Sequence, residues 1–178
     1  MTTAYGAPTQ GDEKAVLVGM LDHYRKTIVQ ICSGVSEDDL RRPMVPSGST
    51  LLGLVKHLAF VERGWFEEVV GNTPSRLVYD DADPDMDFRI EPDETSEQIF
   101  EMYRAACERS NEILAGVSLD DVTQWPNRDV NFRWVLAHML EETARHTGHA
   151  DILREMIDGR VGAGYRAELY DQTPIGLD

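Results

Sequence analysis

The stretch RWVLAHMLEETARHTGHADILREMIDG, residues 133–159, decides the fold. Apolar residues recur in it at helical spacing, and Gly159 stands where a left-handed cap would close a long helix. The same stretch carries three of the chain's five histidines. At about 100° per residue, His138, His146 and His149 fall within about 60° of Glu142, in the sector that also holds Val135, Met139, Leu153 and Ile157. That sector should face a helical core. Glu141, Arg145, Arg154 and Glu155 lie elsewhere, as a solvated face should. A lone buried carboxylate is costly unless it is protonated, paired or bound to a cation. Glutamate and histidine four residues apart share one helix face. The residues alone leave two readings open: a metal ion between Glu142 and His146, or a buried hydrogen bond with no metal.

Working outward, three more segments show helical periodicity. One runs from about Asp12 to Ser33, with Gly34 suited to a left-handed cap. After it, SEDDLRRP (36–43) reads as a short turn capped by Ser36 and stopped by Pro43. Another helix starts at Ser49 or Thr50 and ends near Gly71, with Leu51, Leu54, Leu58, Val61, Trp65 and Val69 as its apolar stripe. A third spans Thr95 to Ala115, where TSEQ offers a capping box. The last helix is expected over Asn131–Asp158. Between the second and third lies NTPSRLVYDDADPDMDFRIEPDE (72–94), an aspartate-rich connection too long for a tight turn. No strand pattern stands out, nor any internal repeat. The expected architecture is all-α, a four-helix bundle in one domain over 1–178, with the bundle at about 12–160 and a tail at 161–178 of no assigned regular structure.

A net charge of −15, from 17 basic and 32 acidic residues, argues against nucleic acid or an anionic membrane as a partner. The N-terminus has no apolar core of a signal peptide, and no apolar run approaches a membrane span, so a cytoplasmic location is expected. Cys32 and Cys107 form no spaced motif and read as free, buried thiols.

His57 lies in LVKHLAFVERGWF at the margin of the second helix's stripe. Alone, it reads more readily as a core histidine than as a ligand. Two helices of a bundle could still bring His57, Glu142 and His146 to a common centre, and two histidines with one glutamate and an open position make a typical catalytic zinc set.

GSTLLGLVKHLAFVERGWF (48–66), followed some seventy residues later by residues 133–159, resembles the DinB-like superfamily. The branch it looks most similar to is related to the metal-binding domain of mycothiol-dependent maleylpyruvate isomerase. The resemblance spans roughly residues 12–165. It implies a four-helix bundle with a divalent metal, zinc or nickel, at one end of its core. It also implies a metal triad of one histidine on the second helix and two ligands four apart on the last, which fall on His57, Glu142 and His146. A low-molecular-weight thiol such as mycothiol would then act on a small electrophile, by transfer or isomerisation. The chain ends soon after the bundle and lacks the isomerase's additional domain, which weighs against that specific reaction. His149 stands where many relatives carry glutamine, and His138 is a rival ligand by spacing. Both, with Arg133 as a carboxylate holder, are candidates for ligand support or substrate contact. Metal-assisted hydrolysis and non-catalytic metal or small-molecule binding are the competing functions. Relatives often pair as homodimers, and exposed apolar positions on the first helix would permit it.

Overall fold

A computed structural model describes residues 7–73, 82–125 and 128–162. Residues 163–178 of the tail expected at 161–178, and part of the aspartate-rich connection, 74–81, lie outside the described residues. The fold is mostly helical: α1 (Glu13–Cys32), the short α2 (Glu37–Leu40), α3 (Leu51–Glu62), a π-helical continuation (Arg63–Val70), α4 (Ser96–Ala115), a hairpin of β1 (Val122–Trp125) and β2 (Arg128–Asn131), and α5 (Phe132–Asp158). α1 packs mainly along α5 and α3 along α4, while α3 also meets α5.

The helix ends follow from local chemistry. Asp12, Ser36, Thr50, Thr95 and Asn131 each accept a hydrogen bond from a backbone N–H of the first turn. Thr95 and Gln98 complete a capping box. Gly34 and Gly159 take positive φ, 68° and 78°, beyond the ends of α1 and α5.

Two features depart from the expectations. The first is the hairpin, where Val122–Asn131 and Thr123–Val130 pair in antiparallel register. Thr123 and Val130 are buried and Val122 is exposed. Four residues per strand give one alternation each, too few to stand out as a period. The Thr123 hydroxyl ties the hairpin to the Val69 carbonyl at the end of the π-helical turn. The second concerns Arg154, placed by its angle on the solvated face. It is 0% exposed. Its Nη1 donates to the carbonyls of Ile31 and, at 2.8 Å, Ser33, and its Nε donates to Asp158. The last turn of α1 has no basic residue of its own. Its unpaired carbonyls are therefore satisfied by a long cation reaching across from α5.

The core forms two clusters along the bundle. One joins the C-terminal part of α1, most of α3, the first half of α4 and the end of α5; the other joins Leu21, Val61, Phe66, Leu114, the hairpin and the start of α5. Arg25 of α1 and Glu62 of α3 form a buried pair, with Nε and Nη2 donating to the two carboxylate oxygens at 2.7 and 2.6 Å. Nη1 adds Asp22 and, from α4, Asn111. The guanidinium also sits 5.8 Å from the centroid of the Phe66 ring. Burial disfavours the Arg25 charge, but Glu62 outweighs it and holds the guanidinium more firmly charged than usual.

Removing one partner of such a pair leaves an uncompensated buried charge. Glu62→Ala should therefore lower stability in urea denaturation by about 3–5 kcal/mol. The apolar double replacement Arg25→Met with Glu62→Leu should recover most of that loss.

Candidate metal centre

The contact of α3 with α5 carries the site. His57 projects from α3, and Glu142 and His146, one turn apart, project from α5. Among the described residues these three form one group able to hold a metal ion, with one ligand atom from each lying within 4.8 Å of the others. Nε2 of His57 is 3.2 Å from Glu142 Oε1, and Nε2 of His146 is 3.0 Å from the same oxygen. The two imidazole rings meet edge to face at 4.7 Å. All three side chains are only partly exposed.

Burial alone would push the Glu142 carboxyl up. The hydrogen bonds and charge from His57 and His146 outweigh it and hold that carboxyl below its ordinary range. Burial, then the neighbouring His57, push the His146 imidazole down, against the pull of Glu142. The site therefore keeps an ionised carboxylate beside a histidine inclined to stay neutral, the protonation state a metal needs.

Neither Asp87 nor Phe88 stands out from sequence spacing. Both belong to a strap, residues 83–91, laid across α3. Asp87 is 2% exposed, and its Oδ2 lies 2.7 Å from His57 Nδ1. Phe88 stacks on the His57 ring at 3.9 Å, 14° from parallel. One signal was available. Met86, Phe88 and Ile90 alternate through an otherwise polar loop, and Phe88 and Ile90 pack against the core. The aspartates around them masked it.

The strap is seated by neighbours of His57 on α3. Lys56, itself buried, donates to the Arg89 carbonyl at 2.7 Å and to Glu94 at 2.8 Å. Gly53 allows the closest approach, since a Cβ there would lie 2.5 Å from the Phe88 carbonyl oxygen. Arg89 closes the turn onto Asp83 and Glu91.

The bonding at His57 bears on whether a cation fits. An ionised Asp87 can only accept, so Nδ1 of His57 carries the proton. A neutral ring then turns the bare lone pair of Nε2 toward Glu142 Oε1. Two acceptors at 3.2 Å repel unless the ring takes a second proton or a cation lies between them. His146 adds a further ring nitrogen to the same oxygen. The donor set suits a divalent ion of the zinc or nickel type.

The other candidates lie around this centre. His149 is exposed, its ring 5.4 Å from that of His146. His138, one turn before Glu142, stacks on Trp134 and meets Trp65 edge to face. Neither joins the three-residue group. Arg133 is engaged in ion pairs with Glu13 and Asp120. Tyr103 of α4 is fully buried. Both cysteines are free and buried. Burial pushes the Cys32 thiol up to about 12 and raises that of Cys107 as well. No helix among the described residues is long and apolar enough to cross a membrane.

The family model described as mycothiol-S-transferase matches residues 16–159, which takes in nearly all of the bundle and all three residues of the site. No curated protein matches the chain. The chain belongs to the mycothiol S-transferase family, a DinB-like family.

Because the added methyl would meet backbone rather than a movable side chain, Gly53→Ala should cost about 1–3 kcal/mol by displacing the strap. A lower melting temperature, with a changed near-ultraviolet signal from the aromatic residues, would register it.

Proposed function

From that family membership we propose that the protein holds one divalent cation through His57, Glu142 and His146. With it the protein promotes transfer of a low-molecular-weight thiol, mycothiol-like, to a small electrophile. The observation that carries this reading is the convergence of two Nε2 atoms and one carboxylate oxygen, with neither His138 nor His149 joining as a fourth ligand. Three protein ligands leave a position for an exogenous group.

A divalent cation in that position lowers the pKa of a thiol or water that reaches it. The chain's own residues do the remainder. His57 and His146 present ring nitrogens, the latter pressed toward neutrality by burial, and Glu142 supplies the one negative ligand. Phe88 shields one face of His57. His149 stands on the exposed side, 5.4 Å ring to ring from His146, where it can contact an incoming thiol or substrate. Trp65, Trp134 and His138 form an aromatic wall one turn along α5.

The state of the cysteines favours an external nucleophile. The chain has two, and both are buried with thiols held in the protonated form. A thiolate is the reactive species, so neither can serve without unfolding its surroundings. A thiol-transfer reaction here must draw its sulfur from a small molecule. The S–H gives up its proton to solvent, the sulfur forms the new bond to the electrophilic carbon, and the bond from that carbon to its leaving group, a halide in an organic halide, breaks with departure of the anion. Zinc is the ion this donor set favours by type, with nickel compatible.

Metal analysis by mass spectrometry of purified protein should find about one divalent ion per chain, the stoichiometry of a three-ligand site. His57→Ala, Glu142→Ala and His146→Ala should each lose it. The loaded wild type should then consume a chromogenic aromatic halide only when a small thiol is supplied. Absence of metal, with no uptake of added zinc or nickel, would overturn the metal centre. Turnover of an ester without any thiol would point to hydrolysis instead.

A further inference from the structure

We propose that Asp87 is a positioning residue for the centre, fixing the ring of His57 so that Nε2, without a proton, faces Glu142 and His146. The inference rests on the metal centre proposed above and adds the residue that prepares it.

Three observations converge. The Asp87 carboxylate is 2% exposed and spends one oxygen on His57 Nδ1 at 2.7 Å, the closest polar contact that ring makes among the described residues. Its other oxygen, Oδ1, is buried with no hydrogen-bond partner among the described residues. A buried carboxylate left half-satisfied is costly, so its placement calls for a reason beyond packing. Moreover, the strap that delivers it is anchored on His57's own helix. Gly53 permits the backbone contact, Lys56 holds the Arg89 carbonyl, and Phe88 stacks on the imidazole. Ring plane and proton position are thus both set from one segment. His146 provides the contrast: its Nδ1 is buried and has no partner among the described residues. Of the two histidines, only His57 has an acidic neighbour at Nδ1 among the described residues.

The chemistry is that of an outer carboxylate orienting a ligand histidine. It holds the proton on the far nitrogen and raises the basicity of the near one. Without it the ring can place its proton on Nε2 and donate to Glu142, the tautomer that cannot ligate. Asp87→Asn keeps the size but brings an amide that can donate to Nδ1, so the tautomer is no longer dictated.

The test uses two readouts on the full chain. Nitrogen-15 NMR of the histidine rings in metal-free protein, at a pH alkaline enough that the ring carries one proton, should show the His57 proton on Nδ1 in the wild type and at least partly on Nε2 in Asp87→Asn. Zinc affinity, by competition with a chromogenic chelator, should fall about 10–100-fold in Asp87→Asn, the usual range for loss of an outer partner. Asp85→Asn, which removes an exposed carboxylate of the same strap without touching the imidazole, is the control and should lose less than threefold. An unmoved His57 proton, an affinity within twofold of wild type, or an equal loss in Asp85→Asn would each overturn the proposal. If the wild type takes up no zinc, the metal centre itself fails. The NMR comparison then decides alone whether Asp87 sets the ring.

Discussion

The paired charges of Arg25 and Glu62 sit inside the bundle, and their geometry constrains more than themselves. A bidentate pair tolerates little sliding or rotation. Because Asn111 and Asp22 take the Nη1 donors, α1, α3 and α4 are registered against one another at that level. Glu62 lies five residues beyond His57 on α3. Whatever fixes the rotation of α3 at Glu62 also fixes the direction in which His57 leaves the helix. On the other side, Arg154 binds the end of α1 to α5. The two buried arginines thereby set both helices that carry the candidate ligands. Apolar packing alone would hold the same elements together with looser register.

Much of this was legible in the residues. The capping residues Asp12, Ser36, Thr50 and Thr95, with Gly34 and Gly159, marked helix ends because their chemistry is local and needs no tertiary partner. The grouping of Glu142 with His146 was equally direct, since spacing on one helix fixes it. What spacing could not show was anything decided across the chain. Arg154 read as solvated because an angle says where a side chain starts, while a long guanidinium ends wherever carbonyls are unpaired. Asp87 was one of many acidic residues in a polar loop; only the strap's seating against Gly53 and Lys56 separates it from them. The π-helical turn at Arg63–Val70 extends the same stripe in a wider register, and Phe66 rather than Trp65 takes the fully buried place. That change depends on tertiary packing against α4 and the hairpin, which a periodic pattern does not encode.

The chemistry of the candidate centre follows from unequal surroundings of two similar residues. His57 is clasped by a carboxylate and an aromatic face, while His146 is pressed toward neutrality by burial and by its neighbours. Glu142 stays ionised between them. A site of this kind is prepared in advance, with its cost carried by folding. The strap contributes by closing over one side. The side toward His149 stays exposed.

Both cysteines lie in the core cluster that includes Leu52, Leu54 and Leu58, the apolar neighbours of His57 on α3. In a protein read as handling electrophiles, that placement protects the chain from its own chemistry. An alkylating compound meets no accessible thiol in the native state and cannot inactivate the protein by modifying it there. Attack on Cys32 or Cys107 must wait for that half of the bundle to open. The rate at which a thiol reagent labels them under native conditions therefore reports how often the helices around the centre come apart.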